Sequence, residues 1–173
     1  YTTLFRSTVM GPDYACCRLI FGEADQFPGL TVDRFGDILV TEVLSLGMEV
    51  RKDLLYPLLV DLLREDGVTV RAIYERSDSP LRDKEGLPKV TGFYPLPGLA
   101  TDLDGHLLLE ENGIRYDVDY IHGQKTGFFL DQKYNRRAAA ALAPGRKVLD
   151  CFTHTGAFAL NAAQAGAAQV TAV

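Results

Sequence analysis

The sequence predicts an α/β chain in which a small α+β domain is followed by the opening of a parallel strand–helix–strand unit. Three observations predict it. Short apolar runs separated by turn residues recur between residues 17 and 121. A leucine-rich stretch within 48–66 has helical spacing. After residue 130 an Ala-rich helix, a short apolar strand, a second Ala-rich helix and another apolar run follow in close succession, which is the order of a βαβ unit.

Taken in order, 17–21 is apolar and reads as a strand. Residues 29–34 and 38–43 read as two further strands, with Phe35-Gly36-Asp37 as the tight turn between them. Leu54, Leu55, Leu58, Leu59, Leu62 and Leu63 define the helix. Pro57 interrupts it, so a kink or a late start is expected, and Gly67 closes it. Residues 68–74 form a β-rich run, and 77–80 start a polar loop or short helix. Residues 87–100, rich in Pro and Gly, read as a loop or linker. Asn112-Gly113 between apolar runs near 105–111 and 114–121 is a strong hairpin signal. The last third reads as helix 131–142 with Asp131 near its N-terminus, strand 147–152, helix 156–165 and a strand from Val170.

Composition bounds the function. With 173 residues, 47% apolar and 24% charged, the chain is an ordinary globular one. No apolar run is long enough for a membrane span, and a cytoplasmic setting is expected. Cys16, Cys17 and Cys151 make neither a zinc site nor a disulfide framework, and His106, His122 and His154 have no partner at metal-ligand spacing. The net charge of −5 argues mildly against phosphate binding, although Lys133, Arg136 and Arg137 form a local basic cluster. Tyr1–Ser7 can be back-translated into a stretch resembling a sequencing-adapter tail and is expected to be artefactual. The chain stops inside a strand at Val173 and reads as truncated.

The turn after the first parallel strand is where open α/β sheets bind ligands. Here it reads Asp150-Cys151-Phe152-Thr153-His154-Thr155-Gly156. It lacks the glycines that let backbone amides approach a pyrophosphate, which disfavours a nucleotide-linked oxidoreductase. S-adenosylmethionine has no phosphate, and a carboxylate such as Asp150 can meet its charged amino-acid end. Asp150 could equally cap the following helix.

Longer motifs add to this reading. Gly123-Gln124-Lys125-Thr126-Gly127-Phe128-Phe129-Leu130-Asp131-Gln132-Lys133-Tyr134-Asn135-Arg136, followed by Val148-Leu149-Asp150-Cys151-Phe152-Thr153-His154-Thr155-Gly156, resembles the signature of the ribosomal RNA large subunit methyltransferase I family. Arg18–Asp25, Pro28–Gly36 and Ile73–Asp78 resemble further family segments, so the likeness covers nearly all of 14–173. Lys133 departs from the usual Arg, and His154 occupies a variable loop position.

The resemblance implies an N-terminal PUA-type RNA-binding domain of which 1–13 holds at most a remnant, a central α+β domain at 14–121, and the start of a Rossmann-like class I methyltransferase domain at 122–173. It implies S-adenosyl-L-methionine as cofactor, large-subunit ribosomal RNA as partner, cytosine C5 as the methylated atom, and a possible homodimer. Asp150, Phe152, Thr155 and Gly156 would line the methionine side of the cofactor, and Lys125, Thr126, Phe128, Asp131 and Gln132 would form a loop folded over it. Phe128, Phe129 and Phe152 could instead be core, and Thr155 a cap. Arg136 could pair with Asp131 or Gln132 across a helical turn. Arg82, Lys84 and Lys89 could touch RNA phosphates, but a solvated loop is the favoured reading. Cys151 reads as a small buried cysteine rather than a nucleophile; the catalytic cysteine is expected beyond residue 173, leaving the chain inactive alone. An RNA-binding or assembly module without catalysis is the competing reading.

Overall fold

The computed structural model describes residues 9–173, so the expectation for Tyr1–Ser7 lies outside the described residues. Strands β1 (Cys16–Phe21), β2 (Leu30–Phe35), β3 (Ile38–Val43), β4 (Ala72–Ser77) and β5 (Val90–Phe93) form one sheet in that order. β2 and β3 are the expected hairpin, with Phe35 opposite Ile38 and Gly36 at φ 60° in the turn. β3 and β4 run parallel. A parallel pair needs a crossover, and α1 (Leu46–Glu49) and α2 (Lys52–Glu65) supply it.

Pro57 lies inside α2. The helix begins at Lys52, well before Pro57, and runs on through it to Glu65, so the expected late start does not occur. Its C-terminus is a Schellman motif: the Val68 amide donates to Leu63 O at 2.8 Å and the Gly67 amide to Arg64 O at 3.0 Å, with Gly67 at φ 76°. β4 lies four residues later than the β-rich run suggested. Val68 and Val70 are buried in the connection, and pairing begins where β3 begins, at Ile38 opposite Ala72. The strand therefore takes in the polar Glu75, Arg76 and Ser77. Residues 87–100 are not all loop: Val90–Phe93 is an edge strand bracketed by Pro88 and Pro95, a place where nearby prolines cost no central ladder bond. After β4 comes α3 (Leu81–Lys84). Its Arg82 corrects the solvated-loop expectation. It is fully buried and donates to Val43 O, Pro88 O and Glu49.

β6 (His106–Glu111) and β7 (Ile114–Asp119) pair as a separate hairpin. Asn112 and Gly113 both take positive φ, 55° and 76°, as a type I′ turn requires. A 3-10 turn, Leu130–Gln132, leads into α4 (Lys133–Ala140), so Asp131 precedes the helix rather than opening it. β8 (Lys147–Asp150) and β9 (Gln169–Ala172) then pair in parallel across α5 (Ala157–Gln164). β8 stops at Asp150, and Cys151 leaves the sheet exposed. That overturns its reading as a buried strand cysteine.

The five-stranded sheet is covered on both sides. On one, Leu19, Val32, Leu39 and Ile73 pack with Tyr56, Leu59 and Leu63 of α2. On the other, Phe35, Ile38, Val40 and Tyr74 pack with Tyr116, Val118 and Tyr120 of the hairpin and with Phe128 and Ala157. Adjacent residues such as Leu39 and Val40 belong to opposite cores, as the period of two in a strand demands. The second core draws the hairpin, the loop after it and α5 onto one face of the sheet, which positions the site.

Candidate functional site

Two loops meet at the carboxyl end of β8. The first begins with Asp150. Its Oδ2 accepts from the Thr153 hydroxyl at 2.7 Å and from the Ala159 amide at 3.0 Å. Ala159 is the third residue of α5, whose start at Gly156 has φ 73°. Asp150 thus supplies an anionic acceptor to an otherwise orphaned helix amide. The capping role considered for it is real, through one oxygen. The hydroxyl bonded in this turn is Thr153's, a residue sequence reasoning passed over; Thr155 is half-buried. The turn is laced to the end of β9 by Val173 N to Asp150 O at 2.9 Å and Thr153 N to Val173 O at 3.0 Å. Phe152 is 97% exposed, so the core alternative fails for it.

The second loop, 123–132, is held by glycines. A Cβ on Gly123 would lie 2.2 Å from Asp119 O, and one on Gly127, at φ 109°, would lie 2.8 Å from the same oxygen. Only glycine lets this backbone close onto the end of β7. Two side chains tie the loop to the large sheet. Arg76 of β4 donates to Gly123 O. The Thr126 hydroxyl donates to Asp33 Oδ2 at 2.6 Å, and Asp33 also takes a bidentate contact from Arg18 at 2.7 and 2.9 Å. The bond to Asp33 is the first cause that holds the Arg18 guanidinium above its usual pKa. Nearby, burial raises the Glu42 carboxyl.

The predicted residues fall into two groups. Thr126 and Phe128 are buried and serve the scaffold. Phe128 packs at 5.1 Å from Tyr116 and beneath the Arg136 guanidinium at 4.6 Å, which makes it core. Lys125, Asp131 and Phe152 are exposed, while Gln132, Asp150, Thr155 and Gly156 are half-buried. Gln132 donates to Asp131 at 3.1 Å and accepts from Asn135 at 3.0 Å. The two loops touch through residues outside the predicted set. Phe129, expected in the core, is half-buried; it meets the His154 ring edge-on at 5.0 Å and lies beneath the Lys125 ammonium at 4.5 Å. Lys125, Phe152 and His154 all hold positive φ, of 54°, 62° and 51°. Such backbone is sparsely populated by residues other than glycine, and it concentrates where function imposes geometry.

Two of the three residues of the basic cluster are engaged within the chain, and Arg137 alone is exposed. Arg136 does not pair with Asp131 or Gln132. It makes a buried bidentate pair with Glu111, at 2.7 and 3.2 Å, and donates to Phe129 O at 2.8 Å. Lys133 is buried against Asp13 at 2.6 Å. Neither is available to a phosphate. Among the described residues no group of three His, Cys, Asp or Glu side chains could hold a metal ion.

Residues 100–173 match a family model described as S-adenosylmethionine-dependent methyltransferase. Proteins named ribosomal RNA large subunit methyltransferase I from Shewanella amazonensis and Shewanella denitrificans are 44% and 46% identical over 155 residues, covering 88% of this chain and 36% of each relative. Over these residues the chain is similar to proteins of that name. It spans little more than a third of the length of those relatives. A solved chain described as a SAM-dependent methyltransferase from Streptococcus mutans superposes with a TM-score of 0.78 at 25% identity, over 99% of this chain and 42% of that one. SMU.776, described as a methyltransferase complexed with SAH, superposes with a TM-score of 0.73 at 25% identity, over 98% and 41%. Trm5b from Pyrococcus abyssi, at 20% identity and TM-score 0.60 over 87% and 41%, shares the fold. The Asp150 turn and the 123–132 loop lie within the residues that match the family model. The Phe129–His154 contact and the Asp33–Thr126 bond had no sequence signal, since the partners stand far apart in the chain.

Proposed function

We propose that this chain is the cofactor-side part of an S-adenosylmethionine-dependent methyltransferase that acts on large-subunit ribosomal RNA at cytosine C5. The observation that carries the reading is the Asp150 turn, facing the 123–132 loop in a chain similar to these relatives. The residues fit the group. Asp150 offers a carboxylate for an ammonium, exposed Lys125 on the 123–132 loop a cation for a carboxylate, and exposed Phe152 a ring for a ligand to pack on. When bound, the sulfonium supplies an electrophilic methyl. The bases of such a site come from RNA, unstacked so that the ring atom is reachable. A thiolate adding to C6 makes C5 nucleophilic; methyl transfer, loss of the C5 proton and expulsion of the thiolate complete the step.

We do not assign that thiolate to Cys151. It leaves β8 next to the carboxylate proposed to hold the amino-acid end, not the methyl. The division into units at residues 14–121 and 122–173, a cytoplasmic location and a homodimer belong to the same proposal. Among the described residues no helix is long and apolar enough to cross a membrane.

The test is a methylation assay with labelled S-adenosylmethionine, using the longer gene product that carries this chain and unmethylated large-subunit ribosomal RNA, with the product mapped by bisulfite sequencing. Asp150→Ala should raise the KM for the cofactor at least about tenfold, the loss of one charge-assisted contact. Cys151→Ser should leave kcat unchanged. No transfer to ribosomal RNA by the intact protein would leave the binding-module reading in its place.

A further inference from the structure

Strand pairing lines up one residue from each strand in a row across one end of the five-stranded sheet. Phe21 stands opposite Thr31, Thr31 opposite Glu42, and Arg76 opposite Thr91. Glu42 and Arg76 each follow one residue after the parallel pair Thr41 and Glu75, which completes the row. Side chains alternate between the two faces along a strand. Val40 and Tyr74, two residues before Glu42 and Arg76, belong to the core beneath the hairpin, so the row lies on the face that carries the hairpin and the 123–132 loop. Arg76 confirms this by donating to Gly123 O. The row is open to solvent. Phe21 is 55% exposed, Thr91 is exposed, and Thr31, Glu42 and Arg76 are half-buried. Four strand spacings make it about 19 Å long.

The row has an aromatic ring at one end and hydrogen-bonding groups along the rest. The Arg18 guanidinium, fixed by its two bonds to Asp33, lies 5.2 Å over the Phe21 ring and leaves the ring's other side to a partner. Phe21 is the one apolar side chain in the row, so an apolar protein face finds little to bury there. A flat base with polar edges finds a ring, two hydroxyls and a carboxylate, and a carboxylate such as Glu42 accepts from the amino group of cytosine. Glu42, with Asp78 close by, repels phosphate, so bases and not backbone face the row. We propose that this row is a platform for unpaired bases of a single-stranded RNA segment, one of them stacked on Phe21. This role rests on the reading of the chain as part of an RNA methyltransferase. A sheet surface with exposed aromatic rings is a general means of holding single-stranded RNA, and there is room for about two or three bases. The platform is continuous with the candidate site. The 123–132 loop is tied to Arg76 in the row itself and to Asp33 on the same face, so bases held here flank the one presented to the cofactor. Stacking carries this contact, which suits a chain with a net charge of −5.

The experiment is fluorescence anisotropy of a labelled single-stranded oligoribonucleotide of mixed sequence, titrated with the longer gene product that carries this chain. Circular dichroism melts verify the folding of each variant. Phe21→Ala should weaken binding about tenfold, the scale of one stacked base, and leave the affinity for S-adenosylhomocysteine unchanged. Phe21→Tyr should bind as the wild type does, because the ring remains. Phe21→Leu should lose nearly as much as Phe21→Ala. That order reads stacking itself, which neither misfolding nor a loss of apolar area can mimic. Equal binding by the wild type and Phe21→Ala would overturn the proposal. So would Phe21→Leu binding as well as Phe21→Tyr, which would assign the ring to an apolar protein contact, and so would a wild type that binds no single-stranded RNA. Binding in the expected order without any methyl transfer would support the platform and remove the methyltransferase reading.

Discussion

Replacing Glu111 by Ala should be among the most damaging single changes in this chain. Glu111 and Arg136 are 1% and 2% exposed in their side chains, and the carboxylate meets the guanidinium through both oxygens. The pair joins the turn end of β6 to α4, and the same guanidinium donates to Phe129 O and covers the Phe128 ring. Removing the carboxylate leaves a cation buried without its counter-charge, a change that costs about 3–5 kcal/mol. For a chain of this size one kcal/mol lowers the melting temperature by roughly 2–4 °C, so a loss of about 6–20 °C is expected. The assay is thermal unfolding by circular dichroism, with urea unfolding to supply the free energy. Exchanging both partners for apolar residues, Glu111→Leu with Arg136→Met, should recover much of the loss, because neither charge then remains desolvated. Recovery should be incomplete, since Phe129 O loses its donor. A loss below about 1 kcal/mol for Glu111→Ala would refute the reasoning, since that is the scale of a solvent-exposed pair.

Other outcomes follow from the same geometry. Gly123→Ala should destabilise by at least about 2 kcal/mol in urea unfolding, because its Cβ would overlap Asp119 O and force the backbone apart; an unchanged midpoint would show that the loop gives way freely. Of three thiols, Cys151 alone should react promptly with a disulfide reagent in the native chain, while buried Cys16 and Cys17 wait for unfolding; burial also pushes the Cys16 thiol well above its ordinary range. For Glu49, burial acts to raise the carboxyl, but bonds from Lys52 and Arg82 outweigh it and hold it below its usual 4.5. Its contribution to stability is therefore complete above about pH 4.5 and is lost as pH falls through the lowered value. Glu49→Gln should lower stability at neutral pH, and the gap from wild type, measured by urea unfolding from neutral to acid pH, should close below pH 4.5; a constant gap would contradict the sign.

The hairpins were legible because local chemistry decides them: Gly36 and Asn112-Gly113 need positive φ whatever surrounds them. The βαβ unit was legible for a similar reason, since its apolar runs and glycine stops are consecutive. Long-range partners decided the rest. β4 shifted because β3 sets its register, and β5 exists because Tyr74 and its neighbours offer an edge to residues 90–93. Charged residues misled most. Arg82, Lys133 and Arg136 look like solvent or phosphate ligands, yet each is buried against an acid that stands 20 or more residues away, at separations no pattern encodes. At the candidate site the motif located the loops correctly as segments but could not sort their side chains. Thr126 faces Asp33, and Phe128 and Phe129, adjacent in sequence, divide between core and loop contact.

Loop 123–132 has little regular structure, yet its position is fixed from outside by Arg76 and by Asp33 through Thr126. Protection from hydrogen exchange is governed by the opening that frees an amide, not by the secondary structure around it. Amides in this loop, such as that of Gly127 bonded to Gln124 O, should therefore be released together with the five-stranded sheet and not with the frayed surface. The loop and the sheet would then form a single cooperative unit. A change deep in β2 or β4 would in that case be felt at the candidate site as a change in how often the loop is in place, with no alteration to any residue there.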